Sequence, residues 1–121
     1  MTIIHAVLRR LHSPDVDDLE AFSPSVPDHF GILVQALFGP EGVEGEESFD
    51  FLVCTPAWLA EKARRVGVVS GRYHLIVHAF DLPQLRAFLD GCAKSASGKS
   101  WQEVAAKLAR IGQWEFEDYV P

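Results

Sequence analysis

The sequence predicts an α+β domain: a mostly antiparallel sheet of four to five strands with helices packed on it, in the order β-β-β-α-β-α-α(-β). Three observations predict it. Apolar residues alternate with period two in several separate stretches, helical spacing begins only after Thr55, and clusters of Pro, Gly and acidic residues punctuate the boundaries. At 121 residues, with 48% apolar and 23% charged, the chain has the size and balance of one domain spanning residues 1–121. A chain of this length buries roughly 65% of the surface its unfolded form exposes, so one core suffices without disulfides.

Ile3 to Leu11 is the first strand, with Ile4, Ala6 and Leu8 on one face and His5, Val7 and Arg9 on the other. Residues 12–28 hold Pro14, Pro24 and Pro27 among Asp15, Asp17, Asp18 and Glu20, which makes a long acidic loop. Phe30 to Phe38 is nearly all apolar and is closed by Gly39-Pro40, the pattern of a central strand covered on both faces. The turn-rich link Glu41 to Glu47 leads into Phe49, Phe51 and Val53 in alternation, a hairpin with an acidic tip.

Thr55-Pro56 opens the first helix, Thr as an N-cap accepting from a free backbone N–H and Pro at a position where no N–H is needed. Gly67 is its expected stop. Arg72 to Ala79 alternates as a fourth strand, and Asp81 caps a helix with an apolar stripe of Leu82, Leu85, Phe88, Leu89 and Cys92. Ser100 and Glu103 form a capping box for a last helix that buries Trp101, Val104, Ala105, Leu108 and Ile111, with Gly112 as a left-handed stop. The ending from Gln113 to Tyr119 alternates aromatic and acidic residues, as a short strand or an extended acidic tail.

Charge is distributed unevenly. The net charge is −6, but residues 1–60 carry −8 and residues 61–121 carry +2, and no Lys or Arg lies between Arg10 and Lys62. An acidic half excludes nucleic acid as a partner, since binding there requires cations that replace phosphate counterions. It suits a basic protein instead. No stretch reaches the roughly 18 consecutive apolar residues of a membrane span. Cys54 and Cys92 lie in apolar stretches with no leader-like segment before them, which fits a reduced cytoplasm.

Motifs for chemistry are weak. Gly98-Lys99-Ser100 lacks the first glycine of a phosphate loop and follows a helix, so Ser100 reads as a cap. Asp15-Val16-Asp17-Asp18 fails as a calcium loop at Leu19 and Glu20. His74 and His78 share a strand face but sit about 13 Å apart, too far for one ion. Cys54 precedes a helix N-terminus, which could lower its pKa, yet no base or orienting group accompanies it. The sequence therefore points to no cofactor, no metal and no enzymatic activity.

Several segments in order closely resemble the immunity protein 8 family of bacterial polymorphic toxin systems. They are Ser13-Pro14-Asp15-Val16-Asp17, Phe30-Gly31, and Gly39-Pro40 with Glu44-Gly45-Glu46-Glu47-Ser48-Phe49-Asp50. Val53-Cys54-Thr55-Pro56 with Trp58-Leu59, Tyr73-His74-Leu75-Ile76-Val77, and Trp114-Glu115-Phe116-Glu117-Asp118-Tyr119 complete the set. The resemblance implies a small α+β antitoxin, encoded beside a secreted toxin, that binds and neutralises the toxic domain in the cytoplasm of the producing cell and its kin. A protein-interaction module with a non-toxin partner is the alternative.

Charge and loop placement nominate the contact residues. Asp15, Asp17, Asp18 and Glu20 form one cluster, Glu41, Glu44, Glu46, Glu47 and Asp50 a second, and Glu115, Glu117 and Asp118 a third. Carboxylates in such loops can occupy the basic substrate cleft of a nuclease toxin and steer its approach. Because one loop cannot supply a stable interface of about 1,600 Å², the hairpin tip is expected to act with a neighbouring cluster.

Overall fold

Pairing of the two most apolar stretches builds the centre of the sheet. The computed structural model describes residues 2–117. In it β2 (Gly31–Pro40) runs antiparallel to β3 (Glu47–Cys54), from Gly31 opposite Cys54 to Phe38 opposite Glu47. β1 (Ile4–His12) flanks β2, also antiparallel, with a register shift between Leu8 and Arg10 that makes Arg9 the extra residue of a β-bulge.

Alternation then sorts the side chains. Ile32, Val34, Ala36 and Phe38 share the inner face with Phe49, Phe51 and Val53, and all are buried. Two helices close over this face: α2 (Leu82–Ser95) buries Leu82, Leu85, Leu89 and Ala93, and α3 (Trp101–Leu108) buries Val104, Ala105 and Leu108. Each fully buried Phe or Leu of this core contributes roughly 1.5–3 kcal/mol.

The expected order of elements is present, and the sheet is mostly antiparallel as expected. It is mixed rather than purely antiparallel, because α1 (Pro56–Val66) lies between β3 and β4 (His74–Ile76), and a strand reached through a helical crossover pairs parallel to the one before it. Among the described residues it has six strands rather than four to five. β5 (Ser97–Gly98) pairs with Ile4 and His5, and β6 (Gln113–Trp114) pairs with Phe49 and Asp50. The order across the sheet is β4-β3-β2-β1-β5, with β6 beside β3. β4 and β6 thus lie end to end along one edge of β3.

The outer face is covered differently from the expectation for β2. Leu33, Gln35 and Leu37 are half-buried, and close cover exists at Gly31, where a Cβ would stand 2.4 Å from the Trp58 ring of α1. No residue of α1 is fully buried.

The caps hold in part. Asp81 accepts from Gln84 N–H at 3.1 Å and Ser100 from Glu103 N–H at 3.2 Å. Glu103 reaches back to Lys99 N–H rather than to Ser100. Thr55 occupies the N-cap of α1, but its hydroxyl accepts from Phe30 N–H at 3.1 Å and so ties the helix start to the strand beside it. Gly67 ends α1 in left-handed backbone (φ 92). Gly112 does not: α3 stops at Leu108, and Gly112 is glycine because a Cβ would meet the Phe51 ring at 2.5 Å. The fourth strand is shorter than Arg72 to Ala79, since Tyr73 takes a positive φ and the chain leaves the sheet after Ile76. Phe88, expected in the buried stripe of α2, is 52% exposed. Among the described residues no helix is long and apolar enough to cross a membrane.

Candidate functional site

The hairpin tip between β2 and β3 is held from behind. The bulge turns Arg9 toward the tip, where its guanidinium donates to the carbonyls of Pro40 (2.7 Å) and Val43 (2.5 Å). Glu41 N–H donates to His5 O at 2.8 Å, and Arg10 pairs with Glu46 at 2.8 Å. Gly42 and Gly45 take the positive φ values that the turn requires. Glu41 and Glu44 are exposed, with no ion-pair partner among the described residues.

Glu47 is differently placed. One of its carboxylate oxygens accepts from the indole N–H of both Trp101 (2.6 Å) and Trp114 (2.9 Å), joining β3, α3 and β6. Trp114 also stacks on Phe49, with centroids 6.3 Å apart and planes at 7°, and Phe116 meets Trp114 edge-on. Of the aromatics in the ending, Trp114 therefore docks on the body of the protein. Tyr119 lies outside the described residues.

The acidic tail is bound into the same edge. Glu115 accepts from Ser48 N–H at 2.7 Å through its side chain and donates to Ser48 O through its backbone. The Glu117 carboxylate accepts from the Tyr73 hydroxyl and stands 3.8 Å from Arg72. The hydrogen bond to this carboxylate pushes the Tyr73 phenol above its ordinary pKa, with Arg72 opposing. Asp118 lies outside the described residues.

The proline-rich loop occupies the other end of the sheet. Where β1 has ended, Asp15 accepts from Leu33 N–H at 2.7 Å and the buried Ser13 hydroxyl donates to Leu33 O, so two side chains continue the ladder that β1 leaves. Asp18 accepts from Glu20 N–H in a local turn, and Glu20 faces Arg86 at 3.5 Å. Asp17 is exposed. From Leu33 to Pro40 is seven steps along β2, about 23 Å. The tail is thus the neighbour of the hairpin tip, and the Asp15 to Glu20 cluster is not.

Asp50 lies on the outer face between Gln35 and Gln113 in register, and its Oδ1 is buried without a hydrogen-bond partner among the described residues. His74 Nε2 on β4 is in the same condition, while its Nδ1 bonds to Arg72 O at 2.7 Å.

Cys54 is fully buried, and burial pushes its thiol above the ordinary value of 9.0 against a weaker opposing pull from Lys62, contrary to an activated nucleophile. Burial also raises Cys92. His74 is on β4 but His78 is beyond it, so the two do not share a strand face. Among the described residues no group of three or more His, Cys, Asp and Glu side chains could hold a metal ion. Gly98 sits in β5 and Ser100 caps α3.

Sequence reasoning missed a groove of about 470 Å³ between β4 and α2, walled by Leu75, Ile76 and Val77 on one side and Gln84, Leu85 and Phe88 on the other. Its signal was Phe88, which follows Leu85 by three and precedes Leu89 by one, at the margin of the apolar stripe rather than its centre.

Neither the curated proteins nor the solved structures contain a match to this chain. Among protein families, the one described as Immunity protein 8 matches residues 6–119, nearly the whole chain and every segment described above. With its ordered segments mapped onto the hairpin, the α1 start, β4 and the docked tail, the chain belongs to the Immunity protein 8 family.

Proposed function

We propose that this protein is an immunity protein that binds a cognate toxin domain and neutralises it without catalysis of its own, in the cytoplasm of the cell that makes the toxin. The family match carries the reading. The contact surface is acidic and meets a basic site on the toxin, as the substrate cleft of a nuclease would present. Supporting this are Glu41 and Glu44, exposed on a tip that Arg9 and Arg10 fix in place, with Glu46 and Glu115 beside them. A pre-set tip loses little conformational entropy on binding.

The nominated acids fall into two groups by what they already do. Glu41 and Glu44 at the tip, with Asp17, Asp18 and Glu20 at the far end, present carboxylates to solvent and set encounter rate and orientation. Asp15, Glu46, Glu47, Asp50, Glu115 and Glu117 hold the scaffold or lie against it, and act by placing the first group. The test is co-expression with a cognate toxin domain, sought among the genes beside this one. Protection from killing, together with a purified complex that forms more slowly at high salt, supports the reading, and failure to protect or to bind refutes it.

A further inference from the structure

The outer edge of β4 is one of the open edges of the sheet among the described residues. Leu52 N–H donates to Tyr73 O at 2.7 Å and Val77 N–H to Cys54 O at 2.8 Å, so the backbone groups of Tyr73, Leu75 and Val77 face β3. Those of His74 and Ile76 face away from it; the His74 N–H donates to Gly71 O at 3.3 Å in the turn before β4, and among the described residues no strand pairs on that side. α2 lies beside this edge and forms the shelf of the 470 Å³ groove with Leu85 and Phe88. Ile76 is 58% exposed and Phe88 52%.

We propose that an extended segment of the toxin domain adds to the outer edge of β4 as a further strand and lays alternate apolar side chains on the α2 shelf. This rests on the immunity reading and specifies how the partner is held. Main-chain hydrogen bonds to the carbonyl of His74 and to the N–H and carbonyl of Ile76 supply part of the affinity, and the groove supplies the selection.

Two considerations favour this occupant. The first is area. A stable inhibitory complex buries about 800 Å² on each partner around an apolar centre. The hairpin tip offers Val43 as its exposed large apolar residue, whereas Ile76 lies on β4, Phe88 beside it, and Val66 and Val68 in the chain leading toward it. The second is charge. β6 continues the lane of β4 along β3 and runs directly into Glu115 and Glu117, and Glu117 touches Tyr73, the residue before β4. A segment lying on β4 therefore has an acidic neighbour at one end, and basic residues at the matching end of the toxin segment complete the fit.

The test uses the full chain and the cognate toxin domain. Ile76→Pro removes the outward N–H and leaves the bonds from Leu75 and Val77 to β3 in place, as proline on an edge strand allows. Phe88→Glu alters the shelf from an exposed position. Both are expected to keep the wild-type circular dichroism spectrum and to release the toxin domain at least 100-fold faster. The Ile76 amide of the wild type is expected to exchange more slowly in the complex. Wild-type dissociation rates in both variants with no protection of that amide overturn the proposal. If Ile76→Pro fails to fold, Phe88→Glu and the amide exchange decide. A free protein that dimerises through Ile76 while both variants bind toxin normally makes a second copy the occupant and overturns it as well. Wild-type protein that does not bind the toxin domain refutes the immunity reading itself.

Discussion

Glu47 on β3 and Trp114 on β6 are tied by a 2.9 Å hydrogen bond whose acceptor oxygen also serves Trp101 at 2.6 Å. A charged acceptor shared by two half-buried indoles stabilises more than a surface ion pair does. Glu47→Ala is expected to lower the free energy of unfolding by about 2–3 kcal/mol in denaturant titrations, and Glu47→Gln by about 1 kcal/mol. Charge reversal at Glu47 therefore tests the fold before it tests toxin binding.

Charge reversal at Glu41 and Glu44 isolates the electrostatic role of the tip. Both side chains are exposed and hold no other part of the protein among the described residues, and the Glu41 N–H bond to His5 O is backbone that the substitution keeps, so Glu41→Lys with Glu44→Lys changes stability by less than about 0.5 kcal/mol. Association with a basic toxin domain is expected to slow by roughly tenfold at low salt and to lose much of its salt dependence. Stopped-flow measurements across ionic strengths check both.

Gly31→Ala forces a Cβ to within 2.4 Å of the Trp58 ring. Since α1 buries none of its residues completely, the helix yields rather than the strand. Destabilisation of about 1–3 kcal/mol is expected. Trp58→Leu in the same chain should relieve part of it, which a double-mutant cycle by thermal unfolding measures.

Cys54 makes stability fall in alkali. Its folded pKa is raised above 9.0 by burial, so the folded state holds the proton longer than the unfolded state does. The contribution is complete below the unfolded value and is lost as pH rises from there through the folded value. Unfolding titrations between pH 8 and 10.5 are expected to show this decline, and Cys54→Ala to reduce its slope. Thiol reagents at pH 8 should modify the half-buried Cys92 before Cys54.

Local signals read well and distant ones did not. The hairpin, the Asp81 and Ser100 caps and the core alternation of β2 and β3 are decided by residues within a few positions of one another. Glu47 looked like one more acid in an acidic link because its partners lie 54 and 67 residues further on. Asp15 looked like loop charge because the N–H it satisfies belongs to Leu33. Gly112 imitated a helix stop while its reason was the Phe51 ring. The parallel pairing of β4 was legible in principle, since a helix stood between two strands. The separation of the acidic clusters to opposite ends of the sheet required the strand register.

The two short strands that share one edge of β3 also set a timetable. β4 is made some twenty residues after β3, but β6 pairs with Phe49 and Asp50 only once positions 113 and 114 have left the ribosome. Until then the first half of β3 is an unpaired border able to template another chain. Closing a loop this long is among the slower events of folding. A chain cut after Ile111 would keep its hairpin and helices yet leave that border open, and it should aggregate in the cell where the intact chain does not.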